Sequence, residues 1–449
     1  MTIREIGIAL FLATVIPLSA HAQTAGPGDD AEYTEAPEDN ISSLIPLEQI
    51  YGIHAFFNEP GNEVQIQLPS DKTQYAWQNY SRFQKGAIVP RWGDISRLGY
   101  ALDPSIDDIG VDFADGSRLT VNAFIKEKPV DGFIVIKDGE ILYERYKTMR
   151  PFDKHIWFSS SKVVGSTLLA LLEAEGKIDL SRPVSDFIPE LKGSVWDTVT
   201  VQETVDMATG LNGTEHDEPN HDSRTNPEQI WFQWAVAIGV FKGDGERPKP
   251  WDVLKTMERR QEGHKAFEYN SINTFVIDNI VERVSGKTVP ELFGEKIWRR
   301  IGAEGDAFIG VDLDGGPLTF GLINTNLRDF ARFAMIYTPM AKEVFGEEII
   351  PADIVTHIQT SGRPEMFAKG YVGEKMFKSF FKDKDTGLSN AYMWDTIFPD
   401  GDLYKAGVGG QGIYISPSTN TVVAYFMTGT GNDGPETVAR AIVHSLNDR

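Results

Sequence analysis

The sequence predicts an α+β protein: one antiparallel sheet built from distant segments, with flanking helices and a helical insertion between its two halves. Three observations carry this. Phe133-Ile134-Val135-Ile136 and Ile141-Leu142-Tyr143 flank Asp138-Gly139, a dipeptide favoured in tight hairpin turns. Near the C-terminus, Gly412–Ile415 and Thr421–Met427 form a second strand pair around Ser416-Pro417-Ser418-Thr419-Asn420. Between these regions the apolar spacing is helical, over Val163–Glu175, Gln202–Met207, Ser271–Ser285 and Asn326–Tyr337.

In chain order, Arg4, the apolar run Ile6–Ser19 and Ala20-His21-Ala22 read as a cleavable secretory signal over residues 1–22. The apolar run is too short to span a bilayer. The expectation is export to a bacterial periplasm or the medium, with no membrane insertion after cleavage. Residues 23–43 carry Asp29, Asp30, Glu32, Glu35, Glu38 and Asp39 and read as a flexible acidic linker. Residues 44–115 are aromatic-bearing without a clear period, an N-terminal extension packed on the main domain and given no chemistry. The main domain is residues 116–449, with the helical insertion over roughly 163–385. Gly434-Pro435 starts a last helix, whose face is Val438, Ala441, Ile442 and Leu446.

Composition removes several function classes. The chain has no cysteine, hence no disulfide, thiolate nucleophile or cysteine-bound metal. A formal charge of −22 over 449 residues repels nucleic acid and anionic membranes. No phosphate-binding loop is present, and the glycine-rich run Gly407–Gly412 opens a strand and not the helix a dinucleotide fingerprint needs, so no cofactor is implied. G-x-S-x-G is absent too, which speaks against a nucleophile elbow. His216 and His221 stand among Glu215, Asp217, Glu218 and Asp222, but without a zinc spacing and interrupted by Pro219-Asn220. No metal is expected there. The segment reads as a solvated polar loop that can line a cleft entrance.

Ser159-Ser160-Ser161-Lys162 heads the apolar run Val163–Leu172, which Gly176 stops. A helix starting at Ser159 puts its hydroxyl and the Lys162 amine on one face. That is a nucleophile beside a potential base, the requirement for acyl transfer by serine. Ser379–Lys382 has the same spacing but lies among charged residues with nothing to desolvate its amine. A free lysine, with a pKa of about 10.4, must lose charge by burial or a partner before it can act. Tyr269 is the candidate partner, because it precedes the stripe Ile272, Phe275, Val276, Ile280 and Val284, closed by Gly286. An oxyanion hole needs two backbone N–H groups. The run Gly407-Val408-Gly409-Gly410-Gln411-Gly412 allows close approach, which nominates the N–H groups of Ser159 and Gln411. Trp157, next to the nucleophile, and Trp394, before the last strands, are placed near the pocket; His155 reads equally as structural or catalytic.

S-x-x-K, then Y-x-[NS], then a glycine-rich element before a C-terminal strand pair resembles the serine hydrolases of the β-lactamase and penicillin-binding-protein fold. The resemblance covers roughly Asp131–Met427 and is closest to class C-type esterases and 6-aminohexanoate-dimer hydrolases. It implies a β-lactamase/transpeptidase-like fold with Ser159 acylated, Lys162 as base and Tyr269 as proton partner. Ser271 would take the place of an Asn, and Val408-Gly409-Gly410 that of K-T-G, making Ser271, Gly409 and Gly410 substrate contacts. Val408 and Gly409 supply neither cation nor hydroxyl, which favours esters or small linear amides without a carboxylate beside the scissile bond. The expected partner is such a small molecule. A β-lactamase or D-alanyl-D-alanine carboxypeptidase is one alternative, and a non-catalytic binding member of the fold is another.

Overall fold

In the computed structural model, residues 41–217, 223–243, 245–370, 372–374, 387–430 and 433–448 are described. The expected signal, most of the acidic linker, Ser379–Lys382 and His221 lie outside them. Hydrogen bonds order seven strands as Thr396–Ile397, Leu403–Gly407, Gln411–Ser416, Thr421–Met427, Val130–Lys137, Glu140–Tyr146 and Gly99–Tyr100. The strands from the two ends of the chain meet at the centre, with Val423 opposite Val135. Only Gly99–Tyr100 pairs in parallel, along Glu140–Tyr146. The tip at Asp138-Gly139 has positive φ at both residues, 51° and 82°, matching the strand twist.

Both faces of this sheet are covered. Thr421–Met427 is buried at every position, so its apolar run is continuous and not alternating. Successive side chains point to opposite faces. Phe426 stacks on Phe330 of the helix Leu327–Met335, with centroids 5.1 Å apart, while Tyr425 faces Glu436 of the helix Pro435–Asn447.

A second, four-stranded sheet departs from the sequence expectation. Its order is Gly86–Val89, Ala307–Gly310, Ile323–Thr325 and His155–Ile156. Residues 163–385 are therefore not purely helical; they contribute two strands to this sheet. The N-terminal segment is structured as well, with helices Leu47–Asn58 and Asp71–Gln78. Trp77 is fully buried in the main core, and its carbonyl accepts a hydrogen bond from Asn324 at 3.0 Å. All described residues lie in one compact unit. Among them, no helix is long and apolar enough to cross a membrane.

Candidate active site

The strand His155–Ile156 delivers the chain to a tight 3-10 turn, Phe158–Ser161, and only then to the helix Lys162–Ala174. The expected helical start at Ser159 is thus a turn, in which residues three apart still eclipse. Phe158 has φ 45°, a conformation costing a non-glycine residue about 1–3 kcal/mol, immediately before the serine. The helix closes as its sequence predicts. Gly176 (φ 67°) donates to Glu173 at 2.8 Å, and Lys177 donates to Leu172 at 2.9 Å.

Lys162 is fully buried, and its Nζ donates to Ser159 Oγ at 3.1 Å and to the Phe320 carbonyl at 2.5 Å. Burial pulls its pKa down to about 7 against the opposing charge of Glu215, and the Lys405 cation adds to the lowering. The Phe320 carbonyl is itself held in place. Asp278 accepts the Thr319 N–H at 3.1 Å and the Thr319 hydroxyl at 2.8 Å. Gly165 permits that approach, since a Cβ there would lie 2.4 Å from Asp278 Oδ1.

Tyr269 precedes Asn270, which caps the helix Ser271–Ser285 by accepting the Ile272 N–H at 2.9 Å. The Lys162 and Lys405 ammonium groups lie 5.0 and 4.9 Å from its ring centroid. Burial raises the phenol well above its ordinary pKa, as do the charges of Asp395 and Glu215; a hydrogen bond with the Ser159 side chain works the other way. The phenol is therefore neutral at physiological pH.

The third wall corrects the sequence reading. Val408-Gly409-Gly410 is the turn of a hairpin, with Gly410 donating to the Gly407 carbonyl at 3.1 Å. The element against Ser159 is the strand Leu403–Gly407, and Ser160 Oγ donates to the Lys405 carbonyl at 3.3 Å. A Cβ on Gly407 would lie 2.4 Å from the Trp157 carbonyl, so only glycine fits there. A cation therefore does stand on this edge. Lys405 is buried, and its Nζ lies 2.5 Å from Asp395 Oδ1. Ala406 follows it in the pocket wall without a hydroxyl.

These elements surround a cavity of about 230 Å³. Ser159, Tyr269 and Ser271 line it beside Glu215 and Arg224, with Phe158, Trp231, Phe320 and Leu322 as apolar walls. Glu215 is 5 % exposed and accepts both the N–H of Ser271, at 3.0 Å, and its hydroxyl. It is a buried member of the site, not part of a solvated loop; its neighbour His216 also lines the cavity.

Six residues singled out in the sequence lie elsewhere. Gln411 is paired with Gly407 in the ladder and spends its side chain on Val408 and Met427, so Val408 and not Gln411 reaches the pocket. Gly409 abuts Trp77, and Gly410 abuts Met427. Trp157 turns into the core, its indole donating to Thr325 at 2.8 Å and its ring against Phe330. Trp394 is equally buried, against Tyr337. His155 is structural: fully buried, stacked on Phe426 and 3.3 Å from Asp131.

A largely antiparallel sheet covered on both faces, beside which a serine, a buried lysine and a phenol meet at one cavity, defines a class of serine hydrolase. The sequence model of the Beta-lactamase family matches residues 121–447, and the chain belongs to that family. It is 28% identical over 301 residues to a 6-aminohexanoate-dimer hydrolase of Paenarthrobacter ureafaciens, covering 67% of this chain and 72% of that protein. The solved structure of a "Putative 6-aminohexanoate-dimer hydrolase from Bacillus anthracis" superposes with TM-score 0.71 at 23% identity, over 87% of this chain and 99% of that one. A class C beta-lactamase superposes with TM-score 0.51 at 15% identity, over 76% and 95%. The expected fold and family are borne out: the protein is a hydrolase of the β-lactamase fold.

Proposed function

We propose that this protein is an exported serine hydrolase of carboxylic esters or small linear amides, working through an acyl-enzyme on Ser159. The observation that carries the reading is the 3.1 Å contact between Lys162 Nζ and Ser159 Oγ, with the amine buried and its pKa lowered to about 7. Near neutral pH a large share of this amine is uncharged and able to accept the serine proton, with Tyr269 beside both groups. Ser159 Oγ attacks the substrate carbonyl carbon. The resulting oxyanion is taken by the N–H groups of Ser159 and Val408 at the pocket edge. The proton passes to the departing alcohol or amine as the carbon–heteroatom bond breaks. Water then attacks the ester of Ser159 by the same proton route, releasing the acid and the free serine.

The apolar walls suit an aliphatic acyl or leaving chain. The 28% identical relative is named for an amide of that description. One observation favours a second reading, a β-lactamase or peptidase: Lys405 supplies on this edge the cation that Val408-Gly409-Gly410 lacks. Its ion pair with Asp395 and the missing hydroxyl at Ala406 weigh against it.

The test uses a short p-nitrophenyl ester, the linear 6-aminohexanoate dimer and nitrocefin, with wild type, Ser159→Ala and Lys162→Ala. Ester or dimer turnover that both substitutions abolish supports the first reading. Nitrocefin turnover without the others supports the second. Silence on all three substrates points to a binding protein.

A further inference from the structure

We infer that Ile66, Gln67 and Tyr80, from the N-terminal segment that precedes the family match, form the wall that sets how long an aliphatic chain the Ser159 pocket accepts. The inference rests on the reading of Ser159 as nucleophile. Sequence alone gives residues 44–115 no chemistry, and the family match begins only at residue 121. Yet all three side chains line the same cavity as Ser159 and Tyr269.

The wall is fixed to the nucleophile by a short mechanical path. Trp77 Nε1 donates to the Ile66 carbonyl at 2.7 Å. The Trp77 ring meets Phe158, the residue before Ser159, edge to face at 4.9 Å. Behind it the ring closes on Gly409, where a Cβ would come within 2.5 Å. Asn324, on the strand Ile323–Thr325, holds the Trp77 carbonyl at 3.0 Å. Ile66 therefore cannot move relative to Ser159 without displacing a fully buried indole. Gln67 reaches across the cavity, its side-chain oxygen 3.4 Å from Arg224 Nη1.

None of the three can take the serine proton at neutral pH, and Tyr80 is held protonated by its burial. What they supply is shape. Ile66 offers an apolar surface, and Gln67 with Arg224 offers a polar limit. An aliphatic chain bound along this wall runs out of room where Gln67 meets Arg224. Removing the Ile66 side chain lengthens the apolar slot, and enlarging it shortens the slot.

The experiment compares kcat/KM for p-nitrophenyl octanoate and p-nitrophenyl acetate in wild type, Ile66→Ala and Ile66→Trp. A fluorophosphonate adduct on Ser159, seen by intact mass, is the control in each protein. The octanoate-to-acetate ratio is expected to rise about tenfold in Ile66→Ala and to fall in Ile66→Trp. A loss of folding would lower both substrates together and leave the ratio alone, and should Ile66→Trp misfold, Ile66→Ala carries the test. A ratio unchanged within about twofold in Ile66→Ala, with Ser159 still labelled, overturns the wall and leaves the nucleophile standing. Wild-type protein that takes no label at Ser159 overturns the nucleophile reading, and the wall falls with it.

Discussion

Lys405 and Asp395 form a buried ion pair, Nζ to Oδ1 at 2.5 Å, with the Lys405 ammonium 4.9 Å from the Tyr269 ring centroid. Asp395 also accepts the Ala406 N–H at 2.9 Å, so one carboxylate fixes both the cation and the strand that carries it. The pair tunes Lys162 from two sides, Lys405 lowering its pKa and Asp395 raising it. Lys405→Met deletes the lowering charge and leaves the raising one, so the acid limb of kcat/KM should move to higher pH. Asp395→Asn should move it lower. Each variant should also lose about 3–5 kcal/mol of stability, because one buried partner is stranded. Parallel pH profiles in folded protein would show that the pair does not act on the amine.

The wild-type profile follows from Lys162 itself. In the proposed mechanism the amine can act as a base only when neutral, and burial brings its pKa down to about 7. Activity should therefore climb between about pH 6 and 8, one proton per enzyme, and then level off. Tyr269 is pushed well above the ordinary phenol value, so it imposes no alkaline limb in that range. A rate constant flat from pH 5 to 8 would mean that some other group removes the serine proton.

The parts of the site legible in the sequence are those fixed by local spacing. Ser159 and Lys162 are three residues apart on one turn, and Tyr269 stands at a helix mouth. Gly176 and Gly286 stop their helices with φ 67° and 69°. The second sheet was not legible, because its strands are two to four residues long and pair across distant segments, as Val89 does with Ala307. Such strands leave no periodic trace. The glycines at 407–412 misplaced the strand edge. They mark a tight turn, and the residue that bears on Tyr269, Lys405, precedes them. Glu215 looked solvated among polar neighbours because its partner, Ser271, is remote in sequence. Trp157 lies two residues before Ser159 yet points into the core, since a tight turn sends nearby side chains to different sides.

Gly407 tests how closely the strand edge must approach Ser159. A methyl group there would meet the backbone carbonyl of Trp157 at 2.4 Å, and no rotamer relieves a clash with backbone. Gly407→Ala should cost about 1–3 kcal/mol of stability. It should also push Val408 away from Ser159, and a displacement of about 1 Å at such a site lowers kcat/KM about 10²-fold. Retained acylation in the folded variant, measured by fluorophosphonate labelling, would show that the Val408 N–H is not the oxyanion donor.

Glu436 makes a prediction independent of catalysis. It sits in the first turn of the helix Pro435–Asn447, 3 % exposed, with the Tyr404 hydroxyl 3.5 Å away. Burial pushes its pKa up to about 7, against about 4.3 for an unfolded glutamate. Between those values the folded protein holds a proton that the unfolded chain has released. Stability linked to this carboxyl is therefore greatest below pH 4 and drains away as pH rises to 7; above that the cost is constant. Its size is about 4 kcal/mol at roughly 1.4 kcal/mol per pKa unit. Glu436→Gln keeps the shape and removes the charge. Urea unfolding should find the two proteins nearly equal at pH 4.5, with the variant ahead by up to that amount at pH 8. If the two stability curves run parallel from pH 4.5 to 8, the buried carboxyl is ionised in the folded state, and Tyr404 and Tyr425 must stabilise its charge.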